Sequence, residues 1–318
     1  MSVNTVTGPI EVSQLGPTLM HEHVCSADWS LRMNFGKDFF DPDKVVQGAS
    51  EMLMKVKEEC GITTVVDGTP INLGRDVRLI REVAQRTGLN IIVSSGFYHQ
   101  EEFGLMVMPE DTIYHLLLEE CQNGITDTGI LPGIMKVAVD KGGLTPYLVK
   151  IFTAVARVAA QTGLPVFCHH NVANRNGAAI LDIFEKHGVD LNKFILGHSG
   201  DTNDIEYLLA MLSRGCYIGM DRFAYCDFTL GLEQRVATIA TLCEKGYADK
   251  MLLSHDLVVL MALTKDLDPL QSEMFANPLP DFTFIHKTVQ PALLSAGLSQ
   301  EEFDKMLVDN PKRFFEGD

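Results

Sequence analysis

His21-Glu22-His23 places two imidazoles at positions i and i+2. In an extended strand those positions face the same way, so both rings point to one side while Glu22 points elsewhere. Two neutral imidazoles on one face suit a borderline divalent ion such as zinc. The pair alone fits two structural histidines equally well. Four further residues change the balance. His169 ends the short apolar stretch VFCH, His198 ends FILGH, Asp256 ends MLLSHD, and Lys136 interrupts the apolar IMKVAV. A charge buried without a partner is costly, so the same pattern on five segments points to a shared ion site rather than to packing. Lys136 is the odd member, because an ammonium repels metal ions. Burial and nearby cations favour its neutral amine. That amine can add carbon dioxide and offer two carbamate oxygens to two metals. A lysine paired with Asp67 or another buried acid is the alternative reading of the same residue.

These groups need a scaffold that gathers several strand ends. Thr18–Val24, Thr63–Asp67, Asn90–Ser94, Ile134–Val139, Val166–His169, Phe194–Gly197, Cys216–Gly219 and Met251–Ser254 read as eight short apolar strands. Such runs, bounded by turn residues, are typical of parallel strands buried on both faces. Helical stretches alternate with them, for example Pro42–Glu59, Gly74–Arg86, Pro146–Gln161 and Asp204–Ser213. Pro146 suits a first helical turn, and glycines at 61, 88, 163, 188, 215 and 246 follow helix ends. Ser299 and Glu302 form a capping-box pattern that opens a late helix, Gln300–Val308. The rhythm predicts an α/β fold, and eight βα units in about 240 residues favour a closed (β/α)8 TIM barrel over an open doubly wound sheet. One domain spans 1–318, with a short N-terminal strand segment and extended loops 7 (Phe223–Leu230) and 8 (Leu257–Pro280). Active sites of such barrels lie at the carboxyl ends of the strands. The first, fourth, fifth, sixth and eighth strands each carry one or more of the named groups there.

Composition bounds the partners. Hydrophobic residues make up 46% and charged residues 21%, as in a soluble enzyme with a large core. The 42 acidic and 26 basic side chains leave a formal charge of −16, which argues against a nucleic acid or an anionic membrane as partner. No apolar run is long enough to span a membrane, and the first twenty residues lack a basic start followed by an apolar block. The seven scattered cysteines contain no CxxC pair and read as reduced thiols of a cytoplasmic protein.

HEH at 21–23, IMKVA around Lys136, TGLPVFCH ending at His169, ILGHSGDT around His198, IGMDR at 218–222 and LLSHD ending at Asp256 together resemble the phosphotriesterase family of the amidohydrolase superfamily. The motifs run in register from Val6 to the terminal NPKRFF at 310–315. The resemblance implies a binuclear centre of two divalent ions. His21, His23 and Asp256 would hold the more buried metal, and His169 and His198 the more exposed one. Carbamylated Lys136 and a hydroxide, the nucleophile, would bridge them. Asp256 would shuttle the proton to the leaving group. Zinc, cobalt, manganese and iron all accept such ligands. A homodimer is also implied.

Arg222 and Tyr98 bear on the substrate. Arg222 resembles the arginine of the lactonase-like branch, where dedicated phosphotriesterases carry histidine. Tyr98, in SSGFYH, matches a tyrosine that this branch places near the metal bridge. A salt-bridged Arg222 and a half-buried structural Tyr98 are the plain alternatives. With the resemblance, the chain reads as a lactonase of apolar-tailed substrates, such as N-acyl homoserine lactones or γ- and δ-lactones, with side activity on phosphotriesters. Phe223, Tyr225, Leu257 and Trp29 are expected to line the pocket, with Met274 and Phe275 at its rim. His170 and His255 read as structural, and His99, His115, His187 and His286 as surface or helix residues. The same mechanism acting on another ester, an amide or an organophosphate triester is the alternative. A non-catalytic metal-binding barrel fits poorly, since a mere binder has no need of the lysine.

Overall fold

Aspartate and threonine caps start the helices where the chain leaves a strand. The side chains of Asp41, Asp76 and Thr145 accept backbone N–H bonds at the heads of Pro42–Cys60, Val77–Thr87 and Pro146–Thr162. Ser299 and Glu302 close the expected capping box. The computed structural model describes residues 1–226, 229–262 and 280–317. Ser2–Thr5 (β1) and Gly8–Glu11 (β2) form a separate antiparallel hairpin.

The main sheet begins with Thr18–Ala27 (β3), Thr64–Asp67 (β4), Asn90–Gly96 (β5) and Ile134–Val139 (β6). Val166–His170 (β7), Phe194–Gly197 (β8) and Tyr217–Met220 (β9) follow. Met251–Leu253 (β10) and Val258–Ala262 (β11) complete it. Neighbours pair in parallel in the order β10-β9-β8-β7-β6-β5-β4-β3-β11. The sheet curls until its ends meet. Asp256 N–H donates to His21 O at 3.0 Å, and His23 N–H donates to Leu257 O at 2.8 Å. This is a TIM barrel whose eighth strand is interrupted, with β10 on β9 and β11 on β3.

The interruption corrects one expectation. Val258–Ala262, read as the start of loop 8, extends the barrel instead, because the apolar VVLMA finds a parallel partner in the unusually long β3. Residues 263–279 of that loop, with the expected rim residues Met274 and Phe275, lie outside the described residues.

Inside the barrel, Met20, Val66, Ile92, Ile134, Phe167, Ile195, Tyr217 and Leu252 come one from each of the strands β3 to β10 and form an apolar layer. Leu15, Phe314 and Phe315 join the same cluster. Strand alternation then places Lys136 above Ile134 and His169 above Phe167, two residues nearer the carboxyl ends. In β3 the pairing with β4 is irregular between Leu19 and Glu22. Such a bulge shifts the phase of the strand, so Met20 sits in the inner layer while His21 and His23 also face inward. Among the described residues no helix is long and apolar enough to cross a membrane.

Candidate metal centre

The six expected ligands meet at the carboxyl end of the barrel. His21 Nε2 lies 2.8 Å from Lys136 Nζ and 3.3 Å from Asp256 Oδ1. His23 Nε2 approaches the same carboxylate oxygen at 3.2 Å, and His198 Nε2 lies 3.9 Å from Asp256 Oδ2. His198 Nε2 is also 2.7 Å from His169 Nδ1. One atom each from His21, His198 and Asp256 falls within 4.8 Å of the others, the spacing of groups able to share an ion. The backbone contributes too. His198 and Asp256 adopt positive φ (60° and 59°), so each strand turns sharply at the residue that presents the ligand. Non-glycine residues rarely hold that conformation, and it concentrates at functional sites.

In His21, His23 and His198 the nitrogen that faces away from the centre is tied down. Asp221 accepts from His21 Nδ1 at 2.9 Å through one oxygen, and from His198 Nδ1 at 3.0 Å and His198 N–H at 2.7 Å through the other. Thr69 Oγ lies 2.8 Å from His23 Nδ1. Partners of this kind fix the tautomer and the angle of a ligating ring. Asp221 was overlooked in the sequence, although it ends the strand YIGM just as His169 and His198 end theirs. Glu22 was overlooked as well. Turned away from the ligands, it accepts from Ser254 Oγ, His255 N–H, His255 Nδ1 and Leu257 N–H, all within 2.9 Å, and so pins the break in the eighth strand. His170 and His255 are buried structural residues, as expected. His170 Nδ1 bonds Gly197 O, and His255 bonds Glu22.

Protonation suits ligation. Burial, helped by Lys136, pushes His21 down to about 3, and burial with neighbouring His198 lowers His169 well below its usual value. Both rings are neutral at physiological pH. Burial opposes ionisation of Asp221 and Asp256. The surrounding histidines, with Arg222 beside Asp256, nevertheless hold both carboxyls well below the usual range. Lys136 is 1% exposed, and burial brings its ammonium down to about 8. The pairing with Asp67 does not form. Asp67 instead accepts the N–H groups of Val24 and Thr69 at 2.8 and 3.0 Å.

Tyr98 and Arg222 reach the same cluster. The half-buried Tyr98 hydroxyl lies 3.2 Å from His169 Nδ1, and its backbone N–H donates to Asn72 Oδ1 at 2.6 Å. Arg222 donates from Nε to Asp256 Oδ2 at 3.2 Å and from Nη1 to Asp201 Oδ2 at 2.9 Å. Tyr225 follows in the turn Phe223–Tyr225, its N–H bonded to Arg222 O. Phe223 and Leu257 are 1% and 3% exposed and pack in the core around the barrel.

Trp29 is not brought to the centre. Asp28 caps the helix Trp29–Phe35, which carries the indole outward under the Arg32 guanidinium. There it lines a separate recess with Ile71, Arg75 and Ile125. His99, read as a surface residue, stands near the centre instead, its ring 6.2 Å from that of His169 and Nε2 3.7 Å from Asp140.

Gly68 tests whether this cluster is built to hold ions. A Cβ at that position would stand 2.8 Å from His21 Cδ2, 3.2 Å from His21 Nε2 and 3.4 Å from Lys136 Nζ. The space beside those two donor atoms therefore exists because the residue is glycine. Imidazoles, neutral at His21 and His169 and anchored through the far nitrogen at His21, His23 and His198, form with a carboxylate and an amine of lowered basicity a set that fits divalent ions. Gly68→Ala should leave the barrel folded while displacing His21, lowering metal content and costing about tenfold or more in kcat/KM. Metal analysis and kinetics on the variant check this, and unchanged values would show that the space is idle.

The comparisons agree with the geometry. The family model described as "Phosphotriesterase family" matches residues 1–315. The solved structure of the phosphotriesterase from Mycobacterium tuberculosis superposes with a TM-score of 0.90 at 38% identity, covering 99% of this chain and 98% of that one. An aryldialkylphosphatase of Saccharolobus solfataricus is 30% identical over 96% of each chain. The human N-acetyltaurine hydrolase is 28% identical over 98% of this chain and 97% of its own. With the barrel, its ligand-bearing strand ends and near-complete coverage in agreement, the chain belongs to the phosphotriesterase family and is a hydrolase.

Proposed function

We propose that the protein is a binuclear metal-dependent lactonase with a weaker phosphotriesterase activity. His21, His23 and Asp256 would hold one divalent ion, zinc by preference, His169 and His198 the other, with carbamylated Lys136 between them. Bound there, the ions would acidify a water and polarise the C=O or P=O oxygen of the substrate. The chain's own residues do the rest. Asp256, kept ionised by its neighbours, takes the proton released on attack and passes it to the leaving oxygen. Tyr98 stays protonated because burial raises its pKa, so its hydroxyl is a hydrogen-bond donor over His169. Arg222 is always charged and cannot relay a proton. It holds Asp256 as an anion through Nε, with Nη1 on Asp201.

The observation that carries the lactone reading is the placement of Tyr98 and Arg222 in contact with His169 and Asp256. Two fixed donors beside the ions suit the carbonyl and ring oxygen of a lactone. The human relative named N-acetyltaurine hydrolase favours a second reading, an amide substrate at the same centre. Kinetics on N-acyl homoserine lactones, γ- and δ-lactones, N-acyl amides and paraoxon decide between them. Lactones should lead paraoxon by on the order of 10² in kcat/KM, and a preference for amides would overturn the assignment. Arg222→His should shift the lactone-to-triester ratio by about tenfold, whereas an unchanged ratio removes Arg222 from the argument. Metal analysis should return two ions per chain, and fewer than one would sink the binuclear centre. We further assign the protein to the cytoplasm as a homodimer. Cys25, Cys121, Cys168 and Cys216 are buried thiols without a disulfide partner, which fits a reducing compartment.

A further inference from the structure

Arg235, in the helix Leu232–Glu244, is 1% exposed, and its guanidinium directs its donors to the turns that follow β8 and β9 and to the end of loop 7. Nη1 donates to the carbonyl of Asp221 at 2.9 Å, and Nε to the carbonyl of Leu230 at 2.8 Å. Nη2 donates to Asp201 Oδ1 and to Thr229 Oγ. Asp221 is the carboxylate that holds His21 and His198. Asp201 is the carboxylate that holds Arg222, which in turn holds Asp256. The charges alternate along one chain, Arg235, Asp201, Arg222, Asp256, and the chain ends on an expected ligand. The fold also leaves room for the guanidinium. A Cβ on Gly200, two residues after His198, would stand 2.8 Å from Arg235 Nη1 and 3.3 Å from Met220 Sδ.

A buried arginine is an expensive way to fill space, since an apolar side chain of similar length packs there without desolvating a charge. Its five donors in a rigid fork suit the holding of several acceptors at fixed angles. We propose that Arg235 is a positioning residue for the metal centre. It anchors both carboxylate systems, Asp221 with its two histidines and Asp201 with Arg222 and Asp256. It also ties the end of loop 7, through Thr229 and Leu230, to the same point. The proposal rests on the metal-centre reading above.

The test uses the zinc-loaded enzyme and its retention of zinc against a competing chelator. Arg235→Met removes the fork and leaves Asp201 to draw Arg222 away from Asp256. Zinc affinity should fall by about 10–100-fold, the usual consequence of losing a partner of a ligand. The kinetic loss, on whichever lactone or triester the wild type turns over, should appear in kcat more than in KM. Arg235→Lys keeps the charge but cannot span both acceptors, and should recover part of both losses. Asp201→Asn combined with Arg235→Met should lose less than the sum of the two single losses, because the Arg235–Asp201 link is shared while the hold on the Asp221 carbonyl goes only with Arg235. If Arg235→Met fails to fold, Arg235→Lys and Gly200→Ala carry the same readouts. Wild-type zinc affinity and kcat in a folded variant with lowered Tm would reduce Arg235 to a structural residue and overturn the proposal. A wild-type protein that binds no zinc would sink the metal-centre reading itself, which is a different failure.

Discussion

Replacing Lys136 by alanine is expected to lower kcat/KM by about 10³ or more, and added short carboxylic acids are expected to restore part of it. Among the described residues no carboxylate lies within ion-pair distance of Lys136, and Asp256 and Asp221 act on it only from farther off. Its Nζ lies 2.8 Å from a histidine nitrogen and 4.0 Å from the centre of the Phe167 ring. An ammonium there would face an imidazole and an aromatic wall in a buried site, and burial accordingly lowers its pKa to about 8. On the proposed reading this group, costly to charge beside the expected ligands, would react with carbon dioxide and gain two oxygens. Alanine would remove that anion and leave space above Ile134. Formate, acetate or propionate can then occupy the space and supply the oxygens. Lys136→Met is the control, because its side chain fills the cavity and should lose activity without rescue. Full activity in Lys136→Ala, or equal rescue of both variants, would remove the bridging role.

That the six expected ligands would gather at one end of the barrel was legible in the sequence, because a strand's alternation is short-range and the motifs resemble a family with such a site. His21 and His23, or Lys136 within IMKVAV, declare their face from neighbours two residues away. The partners of these ligands were not legible, since each is made by closure of the barrel. Asp221 meets His21 across 200 positions, and Glu22 meets His255 across 233. Nothing local marks Glu22 as the clamp of a strand break, because the break exists only once Val258–Ala262 has paired with the first barrel strand. Trp29 failed for the opposite reason. Its place after the first strand was read correctly, but an Asp28 cap starts a helix there and turns the indole away. Nothing local marks Arg235 either, since Asp201 and the Asp221 carbonyl close around it only in the folded barrel.

Asp221→Asn is the second large effect, and it concerns a residue that is not itself an expected ligand. Both Asp221 oxygens accept, one from His21 Nδ1 and the other from the ring and backbone N–H of His198. A neutral imidazole carries one proton. A carboxylate facing Nδ1 keeps the proton there and leaves Nε2 with a lone pair directed at the centre. Asparagine has only one accepting end. Whichever way the amide turns, its NH2 group faces one of the two rings and favours the tautomer with hydrogen on Nε2. That ring can no longer ligate without paying to reverse its proton. If the amide turns towards His198, the backbone N–H also loses its acceptor, and a buried unpaired group of that kind costs about 1–3 kcal/mol. Metal affinity should therefore fall by about 10–100-fold, with activity following it. Excess zinc should recover part of the activity, which a general loss of packing would not allow. Asp221→Glu keeps the charge but displaces it by a methylene, and should bind metal better than Asp221→Asn while remaining below the wild type. If Asp221→Asn retains both ions at wild-type affinity, packing within the barrel orients His21 and His198 without Asp221.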